Sequence, residues 1–259
     1  MYRTVCALSA MLLLSGVCAA APFFSTNDPD ANMAVAARPS SAAMEIEAAD
    51  DFILNSATTI TSVKFHGLIP SAVNVSAISE VRVEIYRIFP LDSDAGRTIA
   101  VPTRTNSPSD VAFATRDSSA DELTFGATTL SPDFVALNSV VNGINPKPNQ
   151  TTGGEGPVSG AEIVVSANLN PAIVLPAGHY FFVPQVLVTG GTFLWLSAQK
   201  PIVAPGTPFD GDLQGWVRNA SLDPDWLRVG TDIVGGATPP QYNFAFSLTD
   251  DVIFRNGFD

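Results

Sequence analysis

Cysteine, histidine and lysine are scarce in this chain. The 2 cysteines, Cys6 and Cys18, fall within residues 1–20; the 2 histidines are His66 and His179; the only lysines are Lys64, Lys147 and Lys200. If residues 1–20 are a removed leader, the mature chain has no disulfide, thiol nucleophile or cysteine metal site, and a chain this long can bury a sufficient core without bridges. Two distant histidines do not supply the ligand spacing of a zinc centre. They also leave a serine triad without a base: His66 falls on the polar face of a strand and His179 opens an apolar one. "GPVSG" at 156–160 is not the G-x-S-x-G elbow and has no strand-turn-helix setting. "GGEGPVSG" lacks the lysine of a phosphate loop and reads as a flexible loop. The formal charge is −12, and losing Arg3 with the leader takes it to −13. Such a surface repels phosphate backbones and anionic lipid, so neither nucleic acid nor membrane is an expected partner.

The N-terminus reads as an address. Met1, Tyr2 and Arg3 form a short positive end, Val5 to Val17 form an apolar run, and Cys18, Ala19 and Ala20 are the small residues of a cleavage site. The run is shorter than the roughly 20 residues of a membrane-spanning helix. Cleavage is expected after Ala20, with Ala19 as the second choice. Ser15, Gly16 and Val17 fit a lipidation signal at Cys18 poorly. The expected location is secreted or cell-surface, with no membrane span after leader removal. Residues 21–44, rich in Ala, Ser, Pro and Asn without a clear period, are expected to form a flexible arm.

From "ADDFIL" at 49–54 onward the apolar residues recur with period two. Val63 and Phe65 alternate with Ser62, Lys64 and His66; Val81, Val83 and Ile85 alternate with Glu80, Arg82 and Glu84. Ile163, Val165 and Ala167 share one face, as do Tyr242, Phe244, Phe246 and Leu248. No helical period, internal repeat or heptad appears, and 19 Gly with 20 Pro cut the chain into strands and turns. Gly190 and Gly191 predict a two-residue hairpin that sets Val186 opposite Trp195, Leu187 opposite Leu194 and Val188 opposite Phe193. Both faces of that hairpin are apolar, which places Trp195 in a core, while Pro184 suggests an edge or bulge. Residues 103–120 and 142–160 read as long loops. The expected fold is all-β: a single antiparallel β-sandwich, jelly-roll or immunoglobulin-like, over residues 45–249, with a C-terminal tail at 250–259.

Two stretches carry candidate chemistry. In "DLQGWVRNASLDPDWLRVGTD" at 212–232, Trp216 and Trp226 stand among Arg218, Asn219, Asp223, Asp225 and Arg228, a set that suits stacking on a sugar ring with bonds to its hydroxyls. The competing reading makes the two indoles apolar anchors that pin a loop across the sandwich, and packing alone accounts for them. Asp92 with Asp94, and Asp210 with Asp212, are spaced to direct two carboxylates at one calcium ion; the full calcium-loop pattern is absent, and aspartate also favours turns. No other cofactor is expected. Asn74, Asn149 and Asn219 each open an N-x-[ST] triplet.

"ADDF" at 49–52 followed by "TTITSVKFHGL" at 58–68, "YNFAFSL" at 242–248 and the terminal "VIFRNGFD" at 252–259 together resemble a group of exported bacterial β-sandwich domains. Their opening strands read A-D-D-F and T-I-x-x-V-x-(aromatic)-x-G, and their tail reads I-F-x-x-G-F-[ED]. The resemblance implies a sandwich at the cell surface or in the medium and assigns no catalytic or binding residue; the tail at 250–259 reads either as a sorting signal or as a last segment docking on the sheet. The leading expectation is a non-enzymatic exported binding or surface module for a glycan or a protein partner. The alternatives are a polysaccharide-acting hydrolase using paired carboxylates and a purely structural surface component.

Overall fold

The computed structural model describes residues 21–40, 43–70, 73–144 and 150–250. Residues 1–20, read above as a leader, Asn149 and the tail segment "VIFRNGFD" lie outside the described residues. The strands in chain order are β1 (Phe24–Ser25), β2 (Pro29–Ala36), β3 (Ile46–Leu54), β4 (Thr58–Pro70), β5 (Ile78–Arg87), β6 (Ala114–Asp117), β7 (Leu123–Ala136) and β8 (Ser139–Val140). They continue with β9 (Val158–Leu175), β10 (Gly178–Val188), β11 (Leu194–Ala198), β12 (Trp216–Asn219), β13 (Leu227–Arg228), β14 (Asn243–Phe244) and β15 (Phe246–Thr249). Among the described residues no helix is long and apolar enough to cross a membrane.

Two sheets form the all-β fold. The six-stranded sheet runs β13-β12-β3-β10-β5-β6; the nine-stranded sheet runs β1-β15-β4-β11-β2-β8, with β14 on β11 and the long pair β9 and β7 on the other edge of β4. The pairings are antiparallel except β2 with β8. Period two does the sorting: Val63 and Phe65 of β4, Val81, Val83 and Ile85 of β5, and Ile163 and Val165 of β9 are all buried. The interior is an aromatic layer in which Trp195 stacks on Phe244 at 4.6 Å and Phe182 on Phe246 at 4.9 Å. Trp195 is core, and its indole donates to the Ala245 carbonyl.

Three expectations are corrected. Residues 21–44 are not a free arm: β1 pairs with β15, β2 lies between β11 and β8, and Met33 to Ala37 are fully buried. The run "MAVAA" lacks a period because a central strand is covered on both faces. The domain therefore begins near Phe24. The 190–191 turn is also not a hairpin. β10 pairs with β3 and β5 in one sheet, and β11 pairs with β2, β4 and β14 in the other, so the two glycines carry the chain between sheets. Two strands that are apolar on both faces gain more cover as centres of separate sheets than as mutual neighbours. Pro184 sits beyond the last β3 partner of β10, Phe182, so its missing N–H falls where that ladder ends. The third correction concerns the expected loops: 103–120 holds β6 and a 3-10 turn at Ser118–Ala120, and β9 starts at Val158.

Gly67 shows how tightly the interior is fitted. It lies opposite Trp195, and a Cβ there would come within 1.9 Å of the Phe193 ring, which already packs edge-on to Phe65. Gly67→Ala is expected to cost about 1–3 kcal/mol in denaturant unfolding through overpacking. A change inside measurement error would show that the Phe193 ring can shift freely.

Candidate functional site

The outer face of the six-stranded sheet carries buried charge at Glu47, Asp51, Asp117 and Arg218. Alternation along β3 turns Glu47, Ala49 and Asp51 outward, and the same period turns out Arg82, Glu84 and Tyr86 on β5, Phe181, Val183 and Gln185 on β10, and Trp216 and Arg218 on β12. The register places Arg218 opposite Glu47, Val183 opposite Glu84, and Gln185 opposite Arg82. One half of this face is apolar: Ala49, Tyr86, Phe181, Val183, Trp216 and Trp226 form a second, smaller core. The other half is a strip of carboxylates and guanidinium groups.

Arg218 and Glu47 form the floor of that strip. Both are almost fully buried, and the guanidinium grips the carboxylate through Nε and Nη2. Nη2 also donates to the Tyr86 hydroxyl at 2.8 Å, and Cζ sits 4.3 Å from the Trp226 ring centroid. The Tyr86 hydroxyl in turn lies 2.8 Å from Glu47 Oε1 and 3.3 Å from Glu84 Oε2, so two carboxyl groups meet at one phenol oxygen. Burial, and then the neighbouring Glu47 carboxylate, push the Glu84 carboxyl up to about 8. At neutral pH Glu84 therefore carries a proton, a hydrogen-bond donor beside the Arg218-paired Glu47. Beyond it Arg82 bonds Asp117 at 2.8 Å and reaches Glu45 at 3.3 Å and Gln185 at 3.4 Å. Glu45, Glu47, Arg82, Glu84, Arg218 and Asp223 line an open cleft of about 270 Å3.

Of the two readings of Trp216 and Trp226, the burial of both indoles fits the anchor and leaves no platform. Trp216 and Trp226 are 2% and 1% exposed and lie under the 88–113 segment, whose Ser109 carbonyl accepts from the Trp226 indole. They are anchors, because their flat faces are already used by Tyr86, Arg218 and the small core. Of their polar neighbours, Arg218 and Asp223 reach the cleft, joined by an ion pair at 2.8 Å with Asp223 on the exposed rim. Asp225 belongs to a separate buried knot: Arg97 bonds it at 2.6 Å, Arg104 approaches at 3.5 Å, and Ala100 donates its N–H at 3.0 Å. That knot fastens the loop over the indoles. Arg228 pairs with Asp232 at 2.7 Å in the turn that follows β13.

Neither aspartate pair forms a cation site. Asp92 is held by Arg87, whereas Asp94 caps the Gly96 N–H at 3.0 Å. Asp210 and Asp212 line one open depression, but Lys200 shares it and binds Asp212 at 2.9 Å. The Lys200 ammonium also donates to the carbonyls of Asp212 and Leu213 and to Asn243 Oδ1 at 2.7–3.1 Å. An ammonium thus fills the oxygen nest that a calcium ion would need at Asp212. Among the described residues no three His, Cys, Asp or Glu side chains are grouped to hold a metal.

The "ADDF" aspartates separate by face. Asp50 reaches through the interior to the Phe244 N–H at 2.7 Å; Asp51 turns outward to His179 Nε2 at 2.5 Å and to the Leu213 N–H. Burial pushes both carboxyls above the ordinary range. Comparison of the chain with protein-family models, with curated proteins and with solved structures returned no match.

Proposed function

We propose that this protein is an exported surface or binding module, without catalysis of its own, whose acid-lined cleft takes a hydroxyl-rich ligand such as a glycan. The observation that carries the reading is the cleft's mixed lining: guanidinium groups and the protonated Glu84 donate, while Glu45, Glu47 and Asp223 accept. Sugar hydroxyls need both roles within a few ångströms. The leader-like N-terminus, the all-β fold and the resemblance to exported sandwich domains support the same reading. A protein partner presenting serine, threonine or amide side chains would satisfy the same groups. Asp223 provides the cleanest variant, because its side chain is 55% exposed and its loss leaves the Arg218 pair with Glu47 in place. Binding to a glycan array and to cell-wall polysaccharides is expected, and Asp223→Ala should weaken it by about tenfold, or 1.4 kcal/mol. No retention on any glycan would overturn the glycan reading.

A second reading rests on Glu47 and Glu84 meeting at the Tyr86 hydroxyl. A carboxyl held protonated beside a second carboxyl supplies the acid role of glycoside hydrolysis, with Glu84 as proton donor to the leaving oxygen. Release of new reducing ends from a polysaccharide panel, abolished in Glu84→Gln, would establish it. Binding without release would leave only the first reading standing.

A further inference from the structure

We infer that the first half of β7 is a self-pairing edge through which two copies of this chain join their nine-stranded sheets. β7 pairs with β9 on one side, and no described residue pairs with its other side from Thr124 to Ser131. A row of unpaired backbone N–H and C=O groups is a template for another strand. The chain blunts only part of it. Register shifts between Thr129 and Ser131 and between Ser131 and Phe134, with Pro132 among them, kink the second half, while Leu123 to Thr129 runs in unbroken register against β9.

Charge selects the occupant. The described residues are strongly acidic, so most approaches of one copy to another bring like charges together. From Leu123 to Pro132 there is no ionisable side chain, and Asp121, Glu122 and Asp133 bound this neutral window. A two-fold axis at Gly126 overlays the regular half on itself, so the contact is self-complementary and closed. In that register the outward Thr124 faces Thr128 of the second copy, and the half-buried Phe125 faces Ala127, covering the unfinished margin of the core. Glu122 then meets the uncharged Leu130. A Cβ on Gly126 would touch nothing in its own chain, which leaves the axis clear.

The exported full chain is expected to be a dimer by sedimentation velocity across the micromolar range. Thr124→Glu with Thr128→Glu places carboxylates opposite each other in both cross-strand pairs and should give a monomer with unchanged circular dichroism. Thr124→Lys with Thr128→Glu places opposite charges there and should keep the dimer. Thr124→Cys with Thr128→Cys should cross-link on oxidation, whereas neither single cysteine variant should. A monomeric wild type, a dimer that survives the double glutamate change, or a monomeric lysine and glutamate variant would each overturn the inference.

Discussion

Arg218→Ala is expected to destabilise the fold by about 3–5 kcal/mol, the cost of leaving one member of a buried ion pair without its partner. The loss is compound. Glu47 would remain 6% exposed with no guanidinium, the Tyr86 hydroxyl would lose a donor, and the Trp226 ring would lose the cation packed 4.3 Å from its centre. Because Trp226 and the 88–113 segment hold each other, the variant should also expose that segment to proteolysis. For a domain of this size the Tm should fall by roughly 2–4 °C per kcal/mol. Arg228→Ala is the comparison, since Arg228 is 25% exposed and its backbone N–H continues to hold Asp232 after the side chain is removed, so the loss should be smaller than for Arg218→Ala. Glu47→Leu with Arg218→Met should recover much of the loss, because replacing both charges removes the desolvation cost with the pair. Equal small effects for Arg218→Ala and Arg228→Ala would contradict the account of the floor.

The second large effect is a fall in stability from pH 5 to pH 8. Glu84 releases its proton near pH 8 when folded and near its ordinary value of 4.5 when unfolded. Between those values the folded chain binds the extra proton, so raising the pH favours unfolding by up to about 1 kcal/mol per pH unit. The contribution is complete below pH 4.5 and lost as the pH passes 8. Asp50 and Asp51, pushed up by burial, act in the same direction, so the informative quantity is the difference between wild type and Glu84→Gln. The amide resembles the protonated acid in shape and hydrogen bonding. Denaturant midpoints across this range should therefore show a shallower slope in Glu84→Gln and a variant more stable than wild type at pH 9. Parallel curves would remove the protonated acid from the account.

The alternation of β4, β5 and β9 was readable because each has one face inside and one outside. The same rule failed wherever both faces are covered. β2 looked like linker because small residues fill it, and β10 with β11 looked like a hairpin because a Gly-Gly pair suits a tight turn as well as a crossing between sheets. Trp195 and the anchoring role of Trp216 and Trp226 were within reach, since packing alone explains buried indoles. The acid pair was not. Glu47 and Glu84 come from strands that are separated in the sheet by β10, so no local spacing announces them. A polar strand face also reads alike whether it meets water or a covering loop. A signal did exist in β5, whose outward residues read Glu80, Arg82, Glu84 and Tyr86, an unusually charged row for one strand.

The most direct measurement on the cleft is the titration of the Glu84 carboxyl carbon by NMR, assigned by comparison with Glu84→Gln. A midpoint near pH 8, with the signals of the adjoining Tyr86 ring shifting in step, is the result expected if Glu84 holds its proton beside the phenol. A midpoint in the ordinary glutamate range would mean that Glu84 is charged at neutral pH, and the cleft would then lack the acid of the hydrolytic reading and the carboxyl donor of the binding reading.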